Sequence, residues 1–349
     1  MEKKRILYLD NIKAFACILV VLQHVAAYGY LYTETGTWND HWVCNHPENL
    51  ERYVYNIILI AIAKAAVPLF IMVNGALMLD KDITYKTILK KYILRCIKVL
   101  LFWNIFMAIC TYMDGGTIND VLSVLIFGYQ QFWFIYTLIG LYLVQPLLRE
   151  IVKQEKILKA AIFMFVVALA LNSIEEVLPG KFSDIILHLA SEIGISDFPK
   201  WCGYYCLGYY LKNKENSCFA HIKFGGGIVI LSIVYSIYMS SQSNIFHLES
   251  IEVFSLSTLI ISIVVFLMLK KLPKNERKIL SIINRNSFFI YAGHCLLIEI
   301  ALYNHISLDL FNLGGLGVII GTICIVVVLI MLKVLIIDRL SFLKGFFEW

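Results

Sequence analysis

Apolar runs recur along this chain, roughly at 12–31, 57–79, 93–112, 132–148, 157–174, 198–211, 225–239, 253–269, 288–303 and 316–337, each parted from the next by charged or turn-forming residues. Most are long enough to cross the hydrocarbon core of a bilayer as a helix, and a lipid-embedded backbone must satisfy its hydrogen bonds internally. The reading is an all-α, polytopic transmembrane helix bundle of about ten spans. The chain is 60% hydrophobic and only 16% charged over 349 residues, outside the balance of a soluble domain. No Pro- or Ser-rich linker, low-complexity tract or internal repeat divides it, so residues 1–349 read as one integral-membrane domain.

The charges of the connections orient the bundle. Basic clusters lie at residues 3–5, 81–98, 149–159, 212–223, 270–285 and 333–344, while the intervening connections around Glu34, Asp114 and Glu252 are acidic or neutral. The positive-inside rule places both termini and every basic loop in the cytoplasm. Removing the short sixth run would put the cluster at 270–285 outside, so ten spans are kept. A formal charge of +5, segregated by loop in this way, is a topology signal and no sign of nucleic-acid binding. Lys3, Lys4 and Arg5 before an apolar run imitate a signal peptide, but the run is long enough to stay as a first helix. The expected location is a cell membrane, bacterial inner or cytoplasmic, with short interfacial helices near 118–128 and 185–195.

Within the first run, Lys13 and His24 stand eleven residues apart, which returns a helix to within about 20° of the same face, some ~16 Å farther along. Asp10, Cys17 and Tyr28 fall near that stripe. An ionisable group inside a spanning helix is costly and marks a functional interior. Imidazole suits proton transfer near neutral pH, so His24 is the leading candidate for a general base or a transient acyl carrier. Lys64, placed just before Val67-Pro68, needs an anionic partner. Pro68 and the Asn74-Gly75 pair mark a distorted helix lining a cavity. His294 and Glu299 are further intramembrane ionisable residues, and Arg95, with Lys90, Lys91 and Lys98, forms a basic cluster able to meet anionic lipid or nucleotide phosphates.

Other chemistries find less support. His41, Cys44 and His46 have metal-like spacing but no fourth ligand, so no metal site is expected. Most of the nine cysteines lie in the apolar runs as small core residues, and nothing in the spacing pairs Cys44 with Cys202. No phosphate-binding glycine loop, dinucleotide fingerprint, GxSxG elbow or HExxH helix is present.

The opening YLDNIKAFACILVVLQH resembles the acyltransferase type 3 family of integral-membrane acyltransferases, whose first helix carries a basic residue, ten intervening residues and a histidine. KAAVPLFIMVNGALML, FWFIYTLIGLYLVQPLLR, CGYYCLGYYL and SFFIYAGHCLLI resemble further segments of that family in the same order, so the likeness runs from Leu9 to about Ile298. The pattern is closest to the branch that O-acetylates surface polysaccharides. Lys13 and Lys64 stand where the family has arginine, which keeps charge but loses the forked contact. Asn74 replaces a serine, and Gln131 stands where many members have a histidine. The resemblance implies transfer of an acetyl group from cytoplasmic acetyl-CoA to a hydroxyl of an envelope glycan or its lipid-linked precursor. On that reading, His24 and Lys13 carry the catalysis, and Lys64, Asn74, Arg95, Trp133, His294 and Asp10 bind substrate or CoA. The rival reading is a proton-coupled transporter or flippase for a glycolipid or amino acid, in which His24, Lys64 and Glu299 would couple protons to substrate. Against it stands the lack of an inverted repeat.

Overall fold

The computed structural model describes residues 5–31, 50–177, 200–213, 219–243, 248–272, 277–303 and 315–339. The expected metal-like loop at His41–His46, Cys44 with any bridge it makes, and the interfacial helix near 185–195 lie outside these residues. Among the described residues, the regular structure is helical: α1 Leu7–Leu31, α2 Leu50–Ala63, α3 Ala66–Met78, α4 Leu94–Met113, α5 Ile118–Phe127, α6 Trp133–Lys153, α7 Glu155–Val177, α8 Lys200–Asn213, α9 Phe219–Ser243, α10 Leu256–Lys271, α11 Lys278–Tyr303 and α12 Gly315–Leu335. Each of the ten apolar runs falls on a helix. Among the described residues, six segments have the length and hydropathy to cross a bilayer: Leu7–Ala27, Val54–Met78, Tyr85–Met113, Trp133–Lys153, Gly225–Gln242 and Gly315–Arg339.

Helix α1 is the hub, packed against α11, α3, α2, α12 and α10. Small side chains make this possible: Ala14, Ala16 and Ala26 are fully buried and let neighbouring backbones approach. The closest crossing joins α3 to α8. A Cβ on Gly75 would lie 1.9 Å from the Tyr205 carbonyl oxygen, and one on Gly208 would lie 1.9 Å from the Met72 carbonyl oxygen, so neither position admits a side chain. The periphery is apolar. On α12, Leu316, Ile319, Ile323, Val327 and Met331 are all exposed, the outward face a helix presents to lipid.

The second run is two helices. Pro68 has no amide hydrogen to give the Lys64 carbonyl, and the helix breaks there, between α2 and α3. Cations gather at one end of the bundle. Lys212 pairs with Asp80, and Arg149 donates to Asp82 Oδ1 at 2.6 Å and to the Ile83 carbonyl at 3.0 Å. In addition, Lys270 donates to the Leu211 and Lys212 carbonyls at the last turn of α8. The hydrogen bond and charge from Arg149 hold the exposed Asp82 carboxyl below its usual range. Near the other end, α5 forms the short helix expected at 118–128. It starts with a capping box in which Thr117 N donates to Asp120 Oδ2 at 2.8 Å and Asp120 N to Thr117 Oγ1 at 3.3 Å. It stops at Gly128, whose φ of 81° only glycine takes readily.

Candidate active site

The α1–α11 contact brings two histidines together. His24 Nδ1 lies 2.8 Å from the Val20 carbonyl and 3.2 Å from His294 Nε2, and the ring centroids are 4.7 Å apart at 68°. His294 Nδ1 in turn lies 2.6 Å from the Tyr291 carbonyl. A carbonyl oxygen only accepts, so in both neutral rings the proton sits on Nδ1. His294 Nε2 therefore presents its lone pair to the His24 N–H. In this tautomer His24 Nε2 carries a lone pair. Cys295 Sγ stands 3.4 Å from His294 Nε2, and Cys17 donates to the Ser287 carbonyl at 3.5 Å across the same helix contact.

Among the described residues, His24, His294 and Cys295 form a group whose donor atoms lie within 4.8 Å of one another, near enough to share a metal ion. The carbonyls of Val20 and Tyr291 hold protons on both Nδ1 atoms, which is the arrangement of a hydrogen-bonded pair of bases.

A cavity of about 250 Å³ opens toward the basic end, lined by three cations, Lys13, Lys81 and Arg95, together with Asn74, Tyr142, Phe134 and Tyr291. Asn74 Nδ2 donates to the Tyr142 hydroxyl at 3.1 Å. Both helices that carry the histidines also line this cavity. Lys13 stands eleven residues before His24 on α1, and Ser287, Phe288 and Tyr291 stand in the turns just before His294 on α11. Tyr291 lines the cavity and also offers its carbonyl to His294, while neither histidine is itself part of the lining. The Tyr291 hydroxyl donates to the Gln131 carbonyl, and the ring meets Phe134 edge-on at 5.6 Å.

Three of the expected binding residues lie elsewhere. Asp10 pairs with Arg5 and does not line the cavity. Lys64, buried at the break between α2 and α3, holds Glu252 Oε1 at 2.6 Å, the anionic partner its position demands. Trp133 is 43% exposed and stacks at 5.6 Å on Trp201, outside the cavity. Gln131, buried where many family members carry histidine, donates through Nε2 to the Ala292 carbonyl at 2.9 Å. Its Oε1 has no hydrogen-bond partner among the described residues.

A family model described as an acyltransferase domain matches residues 6–333. The chain belongs to the acyltransferase type 3 family. No match to a curated protein or to a solved structure accompanies it.

In this membrane acyltransferase, the hydrogen-bonded histidine pair and the cation-lined cavity are both built on α1 and α11. The cavity of the acyltransferase also has lining residues that no sequence pattern singles out. Lys81 was read only as part of a topology-setting cluster, yet it lines the cavity with its ammonium 5.6 Å from the centre of the Tyr92 ring. Tyr142 and Tyr291 line it as well. The one signal for Tyr291 was its place three residues before His294, one turn away on the same helix.

Proposed function

We propose that the protein moves an acetyl group from acetyl-CoA to a hydroxyl of a cell-surface polysaccharide or its lipid-linked precursor. It does so in a bacterial cell membrane, with ten spans and with its termini and basic end in the cytoplasm. The observation that carries this reading is the histidine pair held between α1 and α11, two helices that also contribute Lys13 and Tyr291 to the lining of a cation-bearing cavity. At about 250 Å³ it is smaller than the ~300–1,000 Å³ of sites that enclose a whole drug-sized ligand. It suits a slender acyl-pantetheine arm, with the nucleotide phosphates left at the mouth beside Lys13, Lys81 and Arg95.

In the transfer step, His24 Nε2 takes the proton of the acceptor hydroxyl as its oxygen attacks the thioester carbonyl. The C–O bond forms, the C–S bond breaks, and the departing CoA thiolate receives the proton held by His24. His294 accepts the His24 Nδ1–H and so favours the imidazolium that forms in between. Tyr291, which lines the cavity and holds His294 through its carbonyl, is the residue past which the acyl arm reaches His24. Purified protein given labelled acetyl-CoA and an envelope-glycan extract tests the reading. Label in the glycan supports it, and substrate flux across a vesicle membrane without acetyl-CoA contradicts it.

A further inference from the structure

Away from the donor cavity, aromatic rings from three parts of the chain meet at one corner. Trp133 opens α6, Trp201 lies in the first turn of α8, and Phe254 stands just before α10. The Trp133 and Trp201 ring centroids are 5.6 Å apart at 34°, and Trp201 meets Phe254 at 4.6 Å and 60°. Lys200 places its ammonium 5.2 Å from the centre of the Phe254 ring, and Glu252, two residues before Phe254, keeps 44% of its side chain exposed while one carboxylate oxygen holds Lys64. A tryptophan facing lipid at a membrane interface would account for one such ring. It does not account for rings converging from three elements with an ammonium over one of them and a half-exposed carboxylate two residues away along the chain.

The corner is tied to the histidine pair. The segment that leads into Trp133 is fastened to α11 at two levels, by Tyr129 to Glu299 Oε1 at 2.7 Å and by Gln131 to the Ala292 carbonyl at 2.9 Å, on either side of His294. Phe134 lines the donor cavity, and its neighbour Trp133 does not. The two sides of this segment therefore face different spaces, both close to the same helix turn.

We infer that the Trp133–Trp201–Phe254 shelf, with Glu252 at its edge, binds a sugar ring of the acceptor. A pyranose has a face of C–H groups that packs on an indole ring and a rim of hydroxyls that donate to a carboxylate, and the shelf offers both partners side by side. The inference rests on the proposed transfer to a glycan. It adds that donor and acceptor approach the histidines from separate sides of the Trp133–Phe134 turn.

The test uses the full-length protein in detergent and short oligosaccharides cut from the envelope glycan of the source organism. Saturation-transfer NMR reads their binding without acetyl-CoA, and steady-state kinetics read donor and acceptor KM. Trp133→Ala and Trp201→Ala should each weaken oligosaccharide binding and raise acceptor KM by about 5–10-fold, the scale of one lost ring contact, with donor KM unmoved. Trp201→Phe, which keeps a ring, should stay within about 3-fold of wild type. Trp133 is exposed enough for its alanine variant to fold, and donor KM reports that it has. Transfer that proceeds with unchanged acceptor KM in both alanine variants overturns the shelf and leaves the proposed function standing. Saturable, Trp133-dependent binding without any acetyl transfer keeps the shelf and removes the proposed function. No binding and no transfer in the wild type removes both.

Discussion

His24 Nδ1 and His294 Nε2, 270 residues apart in sequence, stand 3.2 Å apart across the α1–α11 contact. The second ring makes His24 more than a lone buried base. Its lone pair, together with the Val20 carbonyl, holds the proton on Nδ1 and so leaves the basic lone pair on Nε2. His294→Ala should therefore lower kcat by roughly 10–100-fold with little change in either KM, the scale of a lost outer-shell partner. His294→Gln, which can return a carbonyl oxygen to the same place, should recover part of the loss. Steady-state rates of the two variants, side by side, check this, and equal losses would argue that the ring matters only for packing.

The cations of the cavity should act on the donor alone. Lys81→Gln and Arg95→Gln are each expected to raise acetyl-CoA KM by about tenfold, in keeping with the loss of one charge-assisted contact, while acceptor KM stays put. Added salt should weaken acetyl-CoA binding to the wild type more than to the variants, because screening removes what the variants already lack. Titration of donor KM against ionic strength reads both effects.

Lys64 is a buried cation whose 2.6 Å partner, Glu252, is partly exposed. Glu252→Gln leaves the ammonium facing a neutral amide and should cost about 1–3 kcal/mol, less than a fully buried pair would because solvent screens the carboxylate. Replacing both, as Lys64→Met with Glu252→Gln, should recover more than half of that loss. Thermal unfolding in detergent, with the three variants as a cycle, separates the pair from its parts.

The α3–α8 crossing sets a steric test. Gly75→Ala and Gly208→Ala each drive a methyl group to 1.9 Å from a facing carbonyl oxygen, so both should fail to yield folded protein. Gly140 on α6 has open space around its Cβ position, and Gly140→Ala should be neutral or stabilising by up to about 1 kcal/mol. Yield of monodisperse protein after membrane extraction distinguishes the two classes.

Much of this molecule is legible in its sequence because lipid imposes simple rules. Every apolar run became a helix, the break at Lys64–Ala65 follows from Pro68, and Lys64 has the anion that its burial requires. The helical stripe of α1 sets Lys13 and His24 near one face, since 3.6-residue periodicity is local information; in the fold Lys13 lines the cavity and His24 meets His294. Partnerships between distant helices are not local. His294 was visible as an intramembrane histidine, but nothing in its own segment shows that His24 would be its neighbour. The partners of Trp133 and Asp10 are hidden by the same gap. Both sit in segments with the right resemblance, yet Asp10 is held by Arg5, and Trp133 turns to Trp201 on α8, away from the donor cavity. Lys81 shows the opposite error, a residue assigned to topology that tertiary packing brings to the site.

The account stands most directly on one nitrogen, His24 Nε2. Purified wild-type protein and His24→Ala, both shown to be folded by equal acetyl-CoA affinity, should be given radiolabelled acetyl-CoA and an envelope-glycan extract, and the label in the glycan counted over time. The expected result is transfer by the wild type and a rate lower by at least about 100-fold in the variant, the range a lost general base produces. Label accumulating at the wild-type rate in His24→Ala would contradict it.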